Sequence, residues 1–360
     1  MWRKILRLIG FLVGWSVVFA YIAYASHLAQ EHRSKQRVSD VVITMSNSDE
    51  TRLFATTERI GAQLKRGGFK MKDRLVDSID AIKLSDYISR NGYVKGVNVY
   101  TTYSGVLHID VKQHEPVMRL LCGGQNSYVT AEGDIFRSPR GAACYLPVVT
   151  GSYKALFATN YEGTAQANLA SKMKVEEEKL IKLRSEFETL RKERGSCIER
   201  KRGLKKDSEK RLFESKKAWK QRKAGIAIDI AKCDEELKRL AQSRTKLEAR
   251  KLAIDKRKKK LQKNYDDFAN LINFVSSIRE DSFWGAEVVQ FVADTTSLGA
   301  ISLRLVPRSG DFIIEFGTLE NSAEKLAKLE HFYDAGLAHI GWDKYKVVDV
   351  RYNKQVICTE

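Results

Sequence analysis

The chain has 360 residues, enough for two or three domains, and a formal net charge of +18. That charge is local: residues 171–260 hold 32 Lys and Arg against 16 Asp and Glu, and the rest of the chain is almost balanced. The body therefore has no electrostatic claim on nucleic acid, and five cysteines are too few and too uneven for a disulfide-framework fold.

Residues 8–28 are hydrophobic or small and carry no charge, behind Arg3, Lys4 and Arg7. Such a run covers about 30 Å as a helix, the hydrocarbon thickness of a bilayer. Residues 1–29 therefore read as a short cytoplasmic tail and a single membrane-spanning helix, with the body on the far side. His32, Arg33, Lys35 and Arg37 soften that asymmetry. Ala23-Tyr24-Ala25 has the small-x-small form of a signal cleavage site. Apolar character that runs on through Leu28 and Ala29 favours retention, and cleavage stays open as the alternative.

Residues 38–115 read as a compact α+β unit. A strand at 38–45 and a helix at 51–65 come first, the helix stopped by Gly67-Gly68. A second helix at 78–91 follows, then strands at 94–100 and 106–112 flanking a turn at 102–105. After Pro116 come short strands at 117–122, 127–130 and 135–136, and 147–151 closes this half.

No proline occurs between Pro147 and Pro307, and about 163–279 reads as helix. Leu169, Glu176, Leu183, Leu190, Cys197 and Leu204 recur every seven residues. So do Ile226, Cys233, Leu240, Leu247, Ile254, Leu261, Phe268 and Val275. A sustained apolar heptad with charges between predicts a coiled coil. Folding the two runs together near residue 215 pairs Leu204 with Ile226, Cys197 with Cys233, Leu190 with Leu240, Leu183 with Leu247 and Leu169 with Leu261. That favours an antiparallel hairpin over 164–262 against a parallel dimer of one long helix. Cys197 and Cys233 would face each other in its seam, either bridged or as two reduced core thiols. Gly195, Gly203 and Gly225 predict bends. The excess charge, including Lys256 to Lys260, suits an acidic partner, an envelope polymer or lipid headgroups, or is a solvated face.

The remaining strands are expected at 288–293, 300–306, 312–316, 346–352 and 355–358, with a helix at 323–337. Residues 117–151 are too few to bury a core alone, so they and 264–360 read as one β-rich domain interrupted by the hairpin. Chemistry is hard to find. The six histidines show no metal-ligand spacing, and there is no glycine-rich phosphate loop or nucleophile elbow. No catalytic residue, metal or cofactor is assigned.

The order of tail, membrane helix, strand-helix-helix-strand-strand unit and β-rich domain resembles the bacterial division family FtsQ/DivIB. Its landmarks are matched by Gly105-Val106-Leu107-His108-Ile109-Asp110-Val111, Gln113-His114-Glu115-Pro116-Val117 and Leu146-Pro147-Val148-Val149-Thr150-Gly151. Toward the C-terminus, Ile314-Glu315-Phe316-Gly317, Gly341-Trp342-Asp343-Lys344-Tyr345 and Asp349-Val350-Arg351-Tyr352 are closer to the family's Bacteroidetes-type members. The long coiled coil departs from the family pattern, and the resemblance says nothing about its role. The resemblance implies an α+β chain: transmembrane helix, POTRA-like domain, then an FtsQ-type β-domain of mixed α/β content. It implies a noncatalytic divisome scaffold in the inner membrane, its body periplasmic and at the septum, linking division proteins to septal peptidoglycan synthesis. The implied partners are FtsB/FtsL-like proteins, with other divisome proteins at the POTRA-like domain. The implied contact is strand addition near the C-terminus, at Val348, Val350, Arg351, Tyr352, Gln355, Val356 and Ile357. A POTRA-type periplasmic chaperone or envelope-assembly factor, and a peptidoglycan- or lipid-binding spacer, are the competing readings.

Overall fold

A computed structural model describes residues 2–46, 54–137, 144–297, 299–342 and 344–360, with side chains from residue 13 onward except 30–34 and 340. Their contacts divide the chain into two units, one of 1–153, 159–163 and 272–360, the other of 154–158 and 164–271.

The first unit begins with α1 (Trp2–Lys35). Among the described residues, no helix is long and apolar enough to cross a membrane. The span expected over 8–28 therefore has no support among the described residues.

A three-stranded sheet follows, ordered β1 (Asp40–Met45), β3 (Val106–Gln113), β2 (Val94–Thr101). β3 pairs in parallel with β1 and antiparallel with β2. Two helices pack on it, α2 (Thr57–Arg66) and α3 (Ala81–Ser89). Thr56 caps α2 by accepting from the Arg59 amide at 3.2 Å, and Asp80 caps α3 by accepting from Lys83 at 3.0 Å. Ile60 and Leu64, one turn apart, bury against Leu84, Ile88, Leu107, Ile109 and Val111. α2 ends as Gly68 takes φ +75. The helix expected at 51–65 starts later, at Thr57, and residues 51–53 lie outside the described ones.

A second sheet is ordered β13 (Ile357–Thr359), β12 (Val347–Asp349), β11 (Ile313–Gly317), β10 (Ile301–Pro307), β9 (Val288–Thr295), β7 (Val148–Thr150), β4 (Pro116–Leu120), β5 (Ser127–Thr130), β6 (Asp134–Arg137), β8 (Gly163–Thr164). Its two halves come from distant parts of the sequence and meet where β7 pairs in parallel with β9, Val149 opposite Phe291. α6 (Trp284–Glu287) leads into β9. The helix expected at 323–337 stops at Phe332 as α7 (Ser322–Phe332), and Tyr333–Leu337 continues as one π-helical turn before α8 (Ala338–Ile340). Tyr333 is buried there, its hydroxyl donating to Glu287 at 3.1 Å.

The second unit holds α4 (Ala165–Asp207) and most of α5 (Lys216–Glu280). The helical stretch expected over 163–279 breaks at 208–215, where the two runs were expected to fold together near residue 215, while Gly195, Gly203 and Gly225 lie inside the helices. The two helices run antiparallel, since Glu177 pairs with Lys258 at 3.1 Å and Glu186 with Arg250 at 3.3 Å, while Arg200 pairs with Glu236 at 3.3 Å. Leu183, Leu247 and Ile254 form their apolar cluster, with Leu180, Phe187 and Leu190 against it. Leu169, Glu176, Leu183 and Cys197 are buried on one helix, and Cys233, Leu247, Ile254 and Phe268 on the other. Glu176 keeps its place in this seam by pairing with Lys179 one turn on.

Candidate partner-binding edge

β12 lies between β11 and β13, with Ile314 opposite Val348 on one side and Cys358 opposite Val348 on the other. Both of its edges are therefore occupied. The strand expected over 346–352, running on through 355–358, is in fact two strands folded back on each other. β12 stops at Asp349 because Arg351 forks onto that carboxylate, Nε to Oδ1 at 2.9 Å and Nη2 to Oδ2 at 2.5 Å. The Arg351 amide donates to the same Asp349 oxygen at 3.0 Å, which curls the backbone out of the ladder. Burial works to raise the Asp349 pKa, but those Arg351 hydrogen bonds leave it below the usual carboxylate value. Lys354, at φ +59, completes the reversal. Lys328 of α7 donates to the carbonyls of Val350 at 3.0 Å and Tyr352 at 2.5 Å, fixing the bend from outside.

The seven expected contact residues consequently separate. Val348 and Val350 are fully buried, and the Val350 amide donates to Glu315 at 3.1 Å, so neither offers a surface. Arg351, Tyr352 and Gln355 are exposed, Val356 is half-buried, and Ile357 begins the edge strand. Tyr352 is 48% exposed and Ile357 41%, two large apolar side chains at the end of an open sheet.

A second constellation joins the two sheets of the first unit, and the sequence did not announce it. Phe54 is fully buried among Tyr128, Phe136 and Leu146. Its ring lies 4.8 Å from that of Tyr128 and 5.7 Å from that of Phe136, edge-on to the latter. Gln113, at the end of β3, holds this residue in place, its Oε1 accepting from the Phe54 amide at 2.9 Å and the Ala55 amide at 3.2 Å. Next in the chain, His114 stacks on Phe136 with Nδ1 3.2 Å from Asp134. Burial pushes the His114 pKa below the ordinary imidazole value despite that carboxylate. Lys95 of β2 pairs at 3.1 Å with Glu132, in the turn between β5 and β6. The Gln113-His114-Glu115-Pro116 stretch was legible as a landmark; its work as the seat of Phe54 was not.

Cys197 and Cys233 are brought together in the helix pair, both buried and both free thiols, the Cys197 thiol donating to the Cys233 carbonyl at 3.5 Å. Burial and the neighbouring Glu236 carboxylate raise the Cys197 pKa. Among the described residues, no group of three or more His, Cys, Asp or Glu is placed to hold a metal ion.

Residues 36–112 match a family described as a POTRA-like domain. Residues 233–359 match one described as FtsQ/DivIB, C-terminal related. The second match begins inside α5, so it takes in the returning helix as well as β9 to β13. No curated protein is significantly similar to the chain. Two segments matched in this order, POTRA-like and then FtsQ/DivIB C-terminal related, support a relationship of the chain to the FtsQ/DivIB family.

Proposed function

We propose that the chain is a noncatalytic scaffold of the division machinery that receives a strand from an FtsB/FtsL-like partner along the outer edge of β13. The observation that carries this reading is the open edge itself. β13 ends the sheet, and Ile357 on it and Tyr352 in the bend before it are both exposed. A partner strand would gain main-chain hydrogen bonds along β13 and bury these two side chains as anchors. The uncharged run at 8–28, within the 34-residue α1, would tether the chain in the inner membrane with its body in the periplasm, and the scaffold would gather at the septum. The test is a pull-down of the full chain with the FtsB/FtsL-like pair of the same organism, wild type beside Tyr352→Ala. The expected result is tight binding that falls roughly tenfold, about 1–2 kcal/mol, in a variant that melts like the wild type. No binding by the wild type would sink the reading, and capture of unfolded β-rich clients instead would favour a chaperone.

In that compartment the helix pair would serve as a coiled-coil hairpin closed by a Cys197–Cys233 bridge. Closing a loop of this length is expected to stabilise it by roughly 3–4 kcal/mol. Both thiols are buried, and burial with the Glu236 carboxylate raises the Cys197 pKa, so uncatalysed bridging is expected to be slow. Mass mapping without reductant should find the bridge in protein purified from the periplasm, and Cys197→Ser should melt at lower temperature. Finding both thiols open to alkylation in that protein would refute it.

A further inference from the structure

The turn between α4 and α5 presents two large apolar side chains to water: Leu212 is 86% exposed and Phe213 101%. Phe213 holds φ +68, a left-handed conformation that L side chains seldom adopt. The turn is nevertheless built rigidly. Arg222 donates to the carbonyls of Asp207 and Glu209 and forks onto Glu214 at 2.9 and 2.6 Å. Glu214 also accepts from the Arg211 amide at 3.1 Å, and the Trp219 indole donates to the Ser208 carbonyl at 3.1 Å. Arg222 holds the Glu214 carboxyl down to about 2, so the clamp stays charged at any physiological pH. Residues 205–223 carry nine Lys and Arg against three acids, one of which is this clamped glutamate. Lys210, Arg211, Lys216, Lys217 and Lys220 are all exposed around the apolar pair.

We propose that this tip docks on an anionic phospholipid bilayer, Leu212 and Phe213 entering the interface while the surrounding lysines and arginines meet the headgroup phosphates. Charge complementarity selects the occupant. Two side chains are far less than the roughly 800 Å² per partner that a stable protein interface needs. A bilayer interface takes a point contact, and long basic side chains lie with stems along the apolar zone and charges at the phosphates. Peripheral binding takes two signals, apolar insertion and basic attraction, and this turn supplies both.

The test holds the full chain in zwitterionic nanodiscs, which occupy the apolar run of α1. These are floated with vesicles of phosphatidylcholine alone or mixed equally with phosphatidylglycerol. The wild type should float with the mixed vesicles, not with phosphatidylcholine, and be released by salt. A double variant, Leu212→Ser with Phe213→Ser, should lose at least roughly tenfold in binding while keeping its helical signal, since both side chains are exposed. Lys216→Glu with Lys217→Glu should lose a comparable amount. Unchanged flotation of the serine variant would overturn the proposal in favour of diffuse polycation binding. Failure of the wild type to float with mixed vesicles would overturn it too, leaving the tip to a protein.

Discussion

Gly151→Ala is expected to destabilise the chain by about 3–5 kcal/mol. Gly151 sits at φ +107, outside even the left-handed helical region, so any side chain is strained before it meets a neighbour. A Cβ there would lie 2.2 Å from the Ala293 carbonyl oxygen and 3.0 Å from its nitrogen. Those are backbone atoms of β9, held by β10 on one side and β7 on the other, and they cannot swing away. The close approach exists because the chain leaving β7 hydrogen-bonds straight back to β9. The Tyr153 amide donates to Ala293 at 3.0 Å, and the Ser152 amide and hydroxyl both donate to Asp294 at 2.9 and 2.6 Å. Those Ser152 bonds, with Arg304 beside them, keep the Asp294 pKa low. The glycine thus lies at the seam uniting residues 116–150 with 272–360. Denaturant unfolding measures the loss, and Gly195→Ala is the control. Gly195 is helical with open space around it, so that change should stabilise by about 0.5–1 kcal/mol. Equal effects at the two sites would contradict the argument.

What the sequence revealed follows the range of the forces involved. Leu183, Cys197, Cys233 and Leu247 were legible as buried positions because a helix face packed on one side recurs about every seven residues, although Leu190, Leu204, Ile226, Leu240 and Leu261 on the same repeat are only half-buried. The alternation in β3 was legible for the same reason, at period two. The end of β12 was not. Val347, Val348 and Val350 read as a continuing strand, and only Asp349–Arg351, with Lys328 reaching over from α7, turns the chain away. β12 is therefore an inner strand, and of the residues expected over 348–357 only Ile357 lies in β13, the terminal strand. The turn at 208–215 contains neither glycine nor proline, so matching the two heptad runs placed it near residue 215, while its closure by Arg222, eight residues past Glu214, had no local signal. Nothing local marks Phe54 either, since its partners Tyr128 and Phe136 are more than seventy residues away.

Phe54→Ala is the second large effect, expected to cost about 3–5 kcal/mol by opening a cavity among Tyr128, Phe136 and Leu146. Its consequence differs from that of Gly151. Phe54 stands beside α2 of the POTRA-like sheet but is buried in a cluster contributed by β5 and β6, so its loss should loosen one sheet from the other before either unfolds. Hydrogen exchange should then rise selectively at 128–137 and around Gln113, with β9 to β13 still protected. Gln113→Leu tests the same joint from the other side. It removes the acceptor of two buried amides, at about 1–3 kcal/mol for each group left unpaired. Gln113 holds the main chain of the residue whose ring fills the cluster, so the two losses should couple and the double variant should lose less than their sum. Additive losses would mean that Gln113 and Phe54 act independently. A uniform rise in exchange across both sheets would mean that this cluster is core rather than joint.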